Sequence, residues 1–484
     1  MAKNLNDLTP PLLWKHFQEF LKIPHCSGNE KAIGDYIISV AKRLNLDYKK
    51  DNVGNVVVSK KASEGSEDSI GVILQGHLDM VCEKNSDVEH DFKKDAIKTQ
   101  IDGDWVKAKG TTLGADNGIG GCAALAIMEN DDIKHPPLEF LFTVEEETGL
   151  TGATHIPEGF LKGKRLLNLD SEDEGEFTIG CAGGADSQVF LPFKKEKNTS
   201  DEIYELKLSG FKGGHSGIDI NLGRGNAIKL LSRILWNLSQ SFSFQLFRIE
   251  GGNLRNAIPR ESAAVIGIKT KDKDKFKEII EEKFNDIKSE YKPIEPNAKY
   301  SLELYNDKVG EAINDEAKDK IISLVFGIPH GVVSMHPEID GLVETSTNLA
   351  VVSTEKDKIQ IICSTRSSTG SALEATRDAI NAIVDIAGAE INREEGYPGW
   401  KPNLESELLK TLKKVYKDTF NKKPHVAAVH AGLECGIIGE KFPGMDMISF
   451  GPTIEHPHSP DERVHVGTVD KFWKFLINLL AELA

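Results

Sequence analysis

The feature that most constrains the fold of this chain is an alternation of short apolar runs with amphipathic helical patterns in its first part. Four apolar runs, each bounded by Gly or by acidic residues, lie at 54–59, 70–81, 138–147 and 165–172. Helical patterns lie before or between them, at 9–24, 30–45 and 118–130. Apolar strands that alternate with helices predict an α/β fold with a mostly parallel sheet. Ligand sites on such sheets gather at the carboxyl ends of the strands.

The pattern changes near residue 186, where the strand patterns begin to alternate polar and apolar residues. Such strands lie at 204–214 and 256–270, and helical patterns lie at 224–238 and 273–291. This is α+β character, typical of sheets with one exposed face. The order of the elements suggests two similar α+β halves within this region.

After this region the chain returns to a helical pattern at 404–420, which is followed by short segments and a final helical pattern at 471–483. We therefore predict an α/β domain made of residues 1–186 and 392–484. It is interrupted by an inserted α+β domain, 187–391, whose length of roughly 200 residues is typical of a domain.

The charge balance of the chain excludes several classes of partner. Its 484 residues include 59 Lys and Arg against 75 Asp and Glu, which gives a net charge of −16. Nucleic-acid binding requires a basic face, and an anionic membrane attracts a basic stripe. No stretch approaches the ~18 apolar residues that cross a bilayer, and the N-terminal residues lack a signal-peptide pattern. We therefore expect a cytoplasmic protein with neither nucleic-acid nor membrane partners.

The cysteines show no pairing pattern. The six of them stand at Cys26, Cys82, Cys122, Cys181, Cys363 and Cys435. Because no two have CxxC spacing, the sequence predicts neither a zinc knuckle nor a disulfide framework.

Histidine and acidic residues follow the apolar runs. His77 and Asp79 fall on the same side of a strand by alternation, and Asp170 lies at the end of a later run. Three consecutive glutamates, 145–147, follow another run. Such acids are costly to bring together without a nearby cation. Taken singly, each cluster also fits a polar strand end or a solvated acidic loop.

A glycine-rich segment, 114–121, surrounds Asp116 at the start of a helical pattern. Helix N-termini bind phosphate, but the segment has neither the GxGxxG nor the GxxxxGK[ST] order. An acidic side chain there would also repel a phosphate. The glycines fit close packing around a carboxylate better, although a simple helix cap is the alternative.

The combined residue set indicates a two-metal site. It contains one His, one Asp, a Glu pair, a second Asp and a histidine in a late loop, 455–462. Carboxylates and imidazoles without thiolates suit zinc, cobalt or manganese. A two-metal hydrolytic site needs a bridging carboxylate, terminal ligands on each ion and a base for the attacking water.

Motifs along nearly the whole chain are similar to one family. They are GHLDMVCEKN, TTLGADNGIGGCAALAI, FTVEEETGLTGA, LLNLDSEDEGEFTIGCAGG, GGHSGIDI, GRGNAIK, DGLVETSTNLAVV, VHAGLECG and HSPDERV. With these motifs the chain resembles the di-zinc metallopeptidases that include aminoacylases, carboxypeptidases and cytosolic dipeptidases, and among them the aminoacyl-histidine dipeptidase branch. The acid loop reads EEE where many relatives have DEE, which leaves its last two glutamates in place.

The resemblance implies a phosphorylase/hydrolase-like three-layer domain with an inserted lid domain. It also implies two divalent metal ions, which would be zinc, with cobalt or manganese as the alternatives. It implies that one ion is bound by His77 and Asp170 and the other by Glu147 and His458, with Asp116 bridging them. Asp79 would orient His77, and Glu146 would be the general base. His458, rather than the nearby His456, lies in the HSPDERV-like segment.

The resemblance also assigns roles in the lid domain. His215 would help to hold the oxyanion, and Asn256 and Arg366 would bind substrate, Arg366 through the substrate's C-terminal carboxylate. The alternative for these three residues is a structural role in interdomain ion pairs. His430 and Glu434 are candidates for the pocket wall, and their roles, like that of His456, stay open.

The predicted function is hydrolysis of unblocked dipeptides, of the Xaa-His type or more broadly, by a monomer or homodimer. The first alternative is a deacylase of the same fold that acts on N-acyl amino acids. A scaffold protein that lost catalysis would show damage among the metal ligands or the base, and all of these residues are present. A nucleotide-binding protein would need a Lys in segment 114–121, and there is none.

Overall fold

A computed structural model describes residues 4–484, so residues 1–3 of the first predicted domain lie outside the described residues. The chain divides into two compact units. The first unit comprises Met1–Gly180, Trp400–Ala428 and Leu433–Ala484. The second unit comprises Cys181–Gly399 and Val429–Gly432.

The elements up to residue 181 include the three helices and four strands that the sequence predicts, in the predicted order. After a short 3-10 helix, Leu5–Asp7, they are α1 (Pro11–Phe20), α2 (Lys31–Arg43), β1 (Asp47–Lys50), β2 (Val56–Lys60), β3 (Val72–His77), β4 (Thr99–Asp102), β5 (Trp105–Ala108), α3 (Ala115–Glu129), β6 (Leu138–Thr143), α4 (Thr151–His155), β7 (Arg165–Asn168) and β8 (Glu176–Cys181). The strands β4 and β5 form a hairpin that the sequence analysis missed, because their residues are mostly polar or half-exposed.

The elements of the second unit are strands with four helices among them. They are β9 (Gly183–Pro192), β10 (Lys195–Glu196), β11 (Glu202–Ser209), β12 (Gly214–His215), α5 (Ala227–Ser239), β13 (Gln245–Gly251), β14 (Ala257–Ile258), β15 (Ser262–Ile268), α6 (Lys273–Tyr291), β16 (Lys299–Leu304), β17 (Ala312–Ile313), α7 (Asp315–Gly327), β18 (Gly331–Met335), β19 (Val343–Thr354), β20 (Lys358–Ser367), α8 (Gly370–Ala387) and β21 (Glu390–Arg393). Short 3-10 helices lie at Ile220–Leu222 and Thr270–Asp272. The predicted helix at 273–291 coincides with α6.

The last elements return to the first unit. They are α9 (Glu407–Phe420), β22 (His425–Val429), α10 (Glu434–Lys441), β23 (Asp446–Ser449), β24 (Ile454–Glu455), β25 (Arg463–His465) and α11 (Val466–Leu483). Of these, β22 runs across the division between the units at residue 428.

The first unit is built on an eight-stranded sheet in the order β1-β2-β6-β3-β7-β23-β8-β22. The four strands in its centre, β6, β3, β7 and β23, run parallel, and the pairs toward β1 and between β23 and β8 are antiparallel. Every residue of β3 and β6 is buried, as continuous apolar runs in a sheet covered on both faces require. The predicted α/β class is therefore confirmed.

A smaller antiparallel sheet of the first unit has the order β24-β25-β5-β4. Its strands β24 and β25 form a hairpin, in which Ile454 pairs with Val464 and Glu455 with Arg463. The hairpin loop, 456–462, contains the predicted ligand His458. This sheet therefore holds the late histidine loop at both ends.

The second unit is built on an 11-stranded antiparallel sheet. Its main path follows the order β16-β11-β15-β13-β19-β20-β9-β21. Strands such as β11 alternate buried and half-exposed residues, which is the predicted pattern of a sheet with one open face. Its apolar core includes Leu206, Leu231, Phe276 and Ile361.

Close packing around α3 explains two glycines of the conspicuous motifs. The helix buries almost all of its residues and packs against α1. A Cβ atom at Gly76 would collide with the Asn117 side chain, and one at Gly120 would collide with the Leu169 carbonyl oxygen. Only glycine lets helix α3 approach the strands this closely.

The prediction of no disulfide is wrong for one pair. Cys26 and Cys82 are bonded, with their Cα atoms 5.7 Å apart. The bridge joins segments 56 residues apart in the sequence, which meet where Cys26 pairs with Met80. A rule based on local spacing cannot detect a pair that tertiary structure brings together.

None of the helices within residues 4–484 is both long and apolar enough to cross a bilayer.

Candidate active site

The five predicted metal ligands lie at or after the ends of three parallel strands, at the start of one helix and in one loop. His77 is the last residue of β3, Asp170 follows β7 by two residues, and Glu147 follows β6 by four. Asp116 is the second residue of α3, and His458 lies in the β24–β25 loop. All five belong to the first unit.

The carboxylate of Asp116 faces two imidazoles, one with each of its oxygens. Its Oδ1 lies 3.1 Å from Nε2 of His77, and its Oδ2 lies 3.1 Å from Nε2 of His458. Each histidine also faces a second carboxylate. Asp170 Oδ1 lies 3.4 Å from Nε2 of His77, and Glu147 Oε2 lies 3.0 Å from Nε2 of His458.

These contacts define two sets of three residues that share Asp116. One set is His77, Asp116 and Asp170, and the other is Asp116, Glu147 and His458. Within each set, one ligand atom per residue lies within 4.8 Å of the others, a spacing that a single metal ion can span. The structure thus brings together the two ligand sets that the sequence predicts.

The cluster has the charge and the free ligand atoms that a cation requires. Glu147 Oε1 is buried and has no hydrogen-bond partner among residues 4–484, and the buried Asp170 Oδ1 has only the 3.4 Å approach of His77 Nε2. Burial raises the pKa of the Asp170 carboxyl to about 6. Hydrogen bonds to Asp116 and Glu147 raise the pKa of His458 to about 11. Without a metal, the clustered carboxylates therefore favour protonation of Asp170 and of His458. A divalent cation at this place would supply the positive charge instead of those protons.

The imidazole of His77 is oriented for coordination through Nε2. Its Nδ1 lies 2.9 Å from the backbone carbonyl oxygen of Asp79, which can only accept a hydrogen bond. A proton on Nδ1 therefore leaves the Nε2 lone pair free to bind a metal. Burial disfavours a charge on this ring, but the carboxylates of Asp170 and Asp116 outweigh burial and raise the pKa of His77 well above its ordinary value.

The Asp79 side chain holds the acid loop as well as approaching His77. Its Oδ1 accepts from the Glu146 N–H at 3.0 Å, and its Oδ2 accepts from the Glu147 N–H at 3.1 Å. Ser27 Oγ donates to Oδ2 at 2.7 Å, and His77 Nδ1 lies 3.4 Å from Oδ1. Burial opposes ionisation, but His77 and these donors lower the pKa of Asp79 to about 2. Asp79 therefore fixes the backbone of two candidate functional glutamates.

We expect Asp79→Asn to lower kcat/KM roughly 10- to 100-fold, the usual cost of losing a partner that orients metal ligands. The amide group would face either the Glu146 or the Glu147 N–H with a second donor and so displace the loop. Steady-state kinetics and metal analysis of the purified variant measure this effect. Ser27→Ala, which removes one neutral contact to the same carboxylate, should cost only a few-fold. Equal effects of the two variants would contradict this role of Asp79.

Glu146 lies beside the ligand sets without belonging to either of the two that share Asp116. Its carboxylate forms a further close group with His77 and Glu147. Burial raises the pKa of Glu146 well above its ordinary value, His77 lowers it, and the nearby carboxylate of Asp170 raises it further. A raised pKa brings a carboxylate toward the range in which a general base works at neutral pH.

His215 lies in the second unit, in β12, with a defined tautomer. The backbone N–H groups of Gly217 and Ile218 donate to its Nδ1 at 3.2 and 3.1 Å. Nδ1 therefore carries no proton, and Nε2 carries it in the neutral ring. Burial, followed by the charge of Arg366, lowers the pKa of His215 and keeps it neutral. The ring thus presents an N–H donor, as an oxyanion-stabilising role requires.

Arg366 and Asn256 also lie in the second unit. Arg366 is in β20 and is 9% exposed, and its Nη1 donates to Tyr397 Oη at 3.0 Å. Its buried Nε has no hydrogen-bond partner among the described residues. Asn256 is exposed, and its backbone carbonyl accepts from the Ser216 N–H at 2.8 Å. An unpartnered guanidinium N–H is a donor that a carboxylate ligand would satisfy.

The residues whose roles the sequence left open have distinct surroundings. Glu434 is 1% exposed, and its Oε2 accepts from Gln75 Nε2 at 2.6 Å and from Thr143 Oγ1 at 2.7 Å. His430 Nε2 lies 2.7 Å from Ser346 Oγ within the second unit, and His456 is exposed. Sequence reasoning missed Gln75 and Thr143, although a polar residue inside an apolar strand is a detectable signal.

Comparison with known proteins gives the following similarities. Residues 73–482 match the peptidase family M20/M25/M40. The chain is 41% identical over 481 residues to the cytosol non-specific dipeptidase of Escherichia coli strain K12, covering 99% of each chain. Among solved structures, the aminoacylhistidine dipeptidase of Vibrio alginolyticus has a TM-score of 0.93 at 41% identity, covering 99% of this chain and 98% of that one. Aminopeptidase PepT of Bacillus cereus shares the fold, with a TM-score of 0.57 at 15% identity over 98% of this chain and 99% of that one.

Proposed function

The chain belongs to the peptidase family M20/M25/M40, and we propose that it is a cytoplasmic dipeptidase that binds two divalent metal ions. We propose zinc as the metal. Family membership makes it a metal-dependent hydrolase of peptide bonds. The relative from E. coli is named a cytosol non-specific dipeptidase and the Vibrio protein an aminoacylhistidine dipeptidase. We therefore assign this chain unblocked dipeptides as substrates, with Xaa-His among them.

One observation carries this proposal: the two oxygens of Asp116 face two different histidines at 3.1 Å each. A role as a helix cap alone does not explain why this carboxylate lies between two other carboxylate–imidazole pairs, Asp170 with His77 and Glu147 with His458. We propose that His77 and Asp170 hold one ion, that Glu147 and His458 hold the other, and that Asp116 binds both. Two ions held by these residues would lower the pKa of the attacking water and would polarise the scissile carbonyl group.

In the proposed mechanism, side chains of the protein transfer protons to and from the reacting groups and keep one another in position. Glu146 takes a proton from the attacking water and later gives it to the leaving amine. The buried Asp79 keeps Glu146 and Glu147 in place through their backbone N–H groups. His215 donates its Nε2 proton in a hydrogen bond to the carbonyl oxygen as negative charge develops there.

We propose that Arg366 and Asn256 recognise the peptide. Arg366 would bind the C-terminal carboxylate of the substrate, because a guanidinium pairs with a carboxylate through two hydrogen bonds. Asn256 would supply an amide hydrogen bond. A substrate site that requires the free carboxylate of the second residue would favour dipeptides over longer peptides.

The substrate class is tested with β-Ala-His, Gly-His, Leu-Gly, a tripeptide and an N-acetyl amino acid, each with and without a chelator. We expect chelator-sensitive cleavage of the dipeptides and little cleavage of the tripeptide. Cleavage of the N-acetyl amino acid alone would make the protein a deacylase of the same fold. Hydrolysis that survives complete removal of metal would contradict the metal-dependent mechanism.

We expect Arg366→Gln to raise KM and lower kcat/KM for dipeptides roughly 10- to 100-fold, the value of a hydrogen-bonded charge pair. The matched control is Arg377→Gln, because Arg377 is also a buried arginine of the second unit, 5% exposed, but its partners are Ser187, Glu374 and backbone carbonyls. The control should lower thermal stability and leave KM near that of the wild type. An unchanged KM for Arg366→Gln would remove this residue from the substrate site.

We propose that the protein is a monomer or a homodimer. Light scattering of the purified protein measures which of the two it forms.

A further inference from the structure

Glu462 is a buried acidic side chain that the mechanism above does not use. It lies at the end of the β24–β25 loop and is 2% exposed. Its Oε2 accepts from the backbone N–H groups of Leu113 and Gly114 at 2.6 and 3.0 Å. Its Oε1 accepts from those of Ala115 and Asp116 at 2.7 and 3.3 Å. Four consecutive backbone donors therefore converge on one carboxylate.

This arrangement compensates for the cost of burying the charge. An ionised carboxylate removed from water is strongly destabilising unless hydrogen bonds replace its hydration. The four donors include the first N–H groups of α3, which no preceding residue of that helix can accept. Gly114, the residue before the helix, has no side chain that could cap them. Glu462 thus supplies the cap from a distant part of the sequence.

The segment that Glu462 holds is the one that presents Asp116. Gly114 adopts the left-handed conformation, with φ of 72°, and Asp116 departs from helical geometry, with ψ of 111°. Such a backbone needs outside support to keep one conformation. The same loop that carries Glu462 also carries His458, four residues earlier. One loop therefore contributes a metal ligand directly and fixes the backbone of the shared ligand.

We propose that Glu462 is a positioning residue, whose backbone hydrogen bonds set Asp116 so that its two oxygens can reach two metal ions at once. This inference rests on the proposed two-metal site. It adds that the HSPDERV segment has two roles. It contributes His458, a ligand of one ion, and through Glu462 it fixes the backbone of Asp116, the ligand that both ions share.

The test is zinc affinity, measured by competition with a chromophoric chelator, for the wild type and for Glu462→Gln. The glutamine keeps the size but replaces one oxygen by a donor that faces two N–H groups. We expect zinc binding to weaken roughly 10- to 100-fold. The matched control is Glu139→Gln, since buried Glu139 of the same unit accepts from the Lys162 and Gly163 N–H groups, both at 2.8 Å. The control should lose thermal stability but keep its zinc affinity within about twofold of the wild type.

Zinc affinity of Glu462→Gln equal to that of the wild type would overturn the inference, as would equal weakening in Glu139→Gln. Hydrogen exchange in the metal-free wild type tests it without any variant. The amides of residues 113–116 should be protected there, and exchange as fast as in an open loop would also overturn it. If the wild type itself fails to bind two zinc ions, the proposed function fails. If only the Glu462 results fail, the two-metal site stands without this positioning role.

Discussion

Glu146→Gln is expected to lower kcat for dipeptide cleavage by about 10²- to 10⁴-fold, the usual contribution of a positioned general base. The variant should still bind two metal ions per chain, because Glu146 belongs to neither of the two ligand sets that share Asp116. The glutamine amide cannot accept the proton of the attacking water. Steady-state kinetics and metal analysis on one preparation separate the loss of the base from the loss of metal.

The matched control for this prediction is Glu145→Gln in the same acid loop. Glu145 belongs to none of the close ligand groups, and its backbone N–H donates to Glu30 Oε1 at 3.1 Å, a contact that the substitution leaves in place. We expect its activity within about twofold of the wild type. A Glu146→Gln enzyme with the kcat of the wild type would show that another group takes the proton.

Asp116→Ala is expected to abolish dipeptide cleavage by removing metal rather than by removing a base. Both ligand sets include Asp116, so each would keep only one histidine and one carboxylate of those assigned here. Two ligands are too few for tight binding of zinc in a hydrolytic site, which usually has three from the protein. We expect less than about one ion per chain after dialysis, against two in the wild type, and activity at the background level.

Asp173→Asn is the control for the Asp116 variant. Asp173 is an exposed acid close to Asp170 in the sequence, so its substitution removes a nearby charge but no proposed ligand. Metal content and activity should match those of the wild type. If Asp116→Ala retained two ions per chain, Asp116 could not be the bridging ligand.

The parallel strands could be predicted from the sequence because their signal is local. Continuous apolar runs ended at His77 and near Glu146 and Asp170, and the carboxyl ends of parallel strands meet at one edge of the sheet. The close approach of α3 could be anticipated from its glycines, of which Gly120 faces the Leu169 carbonyl. For these elements the sequence pattern and the packing impose the same requirement.

The features that the sequence analysis missed depend on contacts between distant segments. The disulfide joins Cys26 and Cys82 across 56 residues, and Glu462 accepts from amides more than 340 positions earlier in the chain. Asp79 was expected to orient His77, but its side chain also binds the backbone of the acid loop. Hydrogen bonds to backbone N–H groups leave no trace in residue types, since every residue except proline has the same donor.

The roles of the residues in the second unit depended on the family resemblance more than on any pattern. No periodicity distinguishes Arg366 from other arginines. The structure adds that its Nε is buried without a hydrogen-bond partner among residues 4–484. It also gives the tautomer of His215, which is set by two backbone donors at Nδ1. Local geometry of this kind supports an assignment that residue type alone could not.

The most direct test of the two-metal site is X-ray diffraction from crystals of the zinc-loaded protein, recorded above and below the zinc absorption edge. We expect two anomalous peaks per chain, one in contact with His77 and Asp170 and the other with Glu147 and His458. The Asp116 carboxylate should contact both. A single peak, or two ions held by other side chains such as Glu172 or His456, would contradict the proposed site.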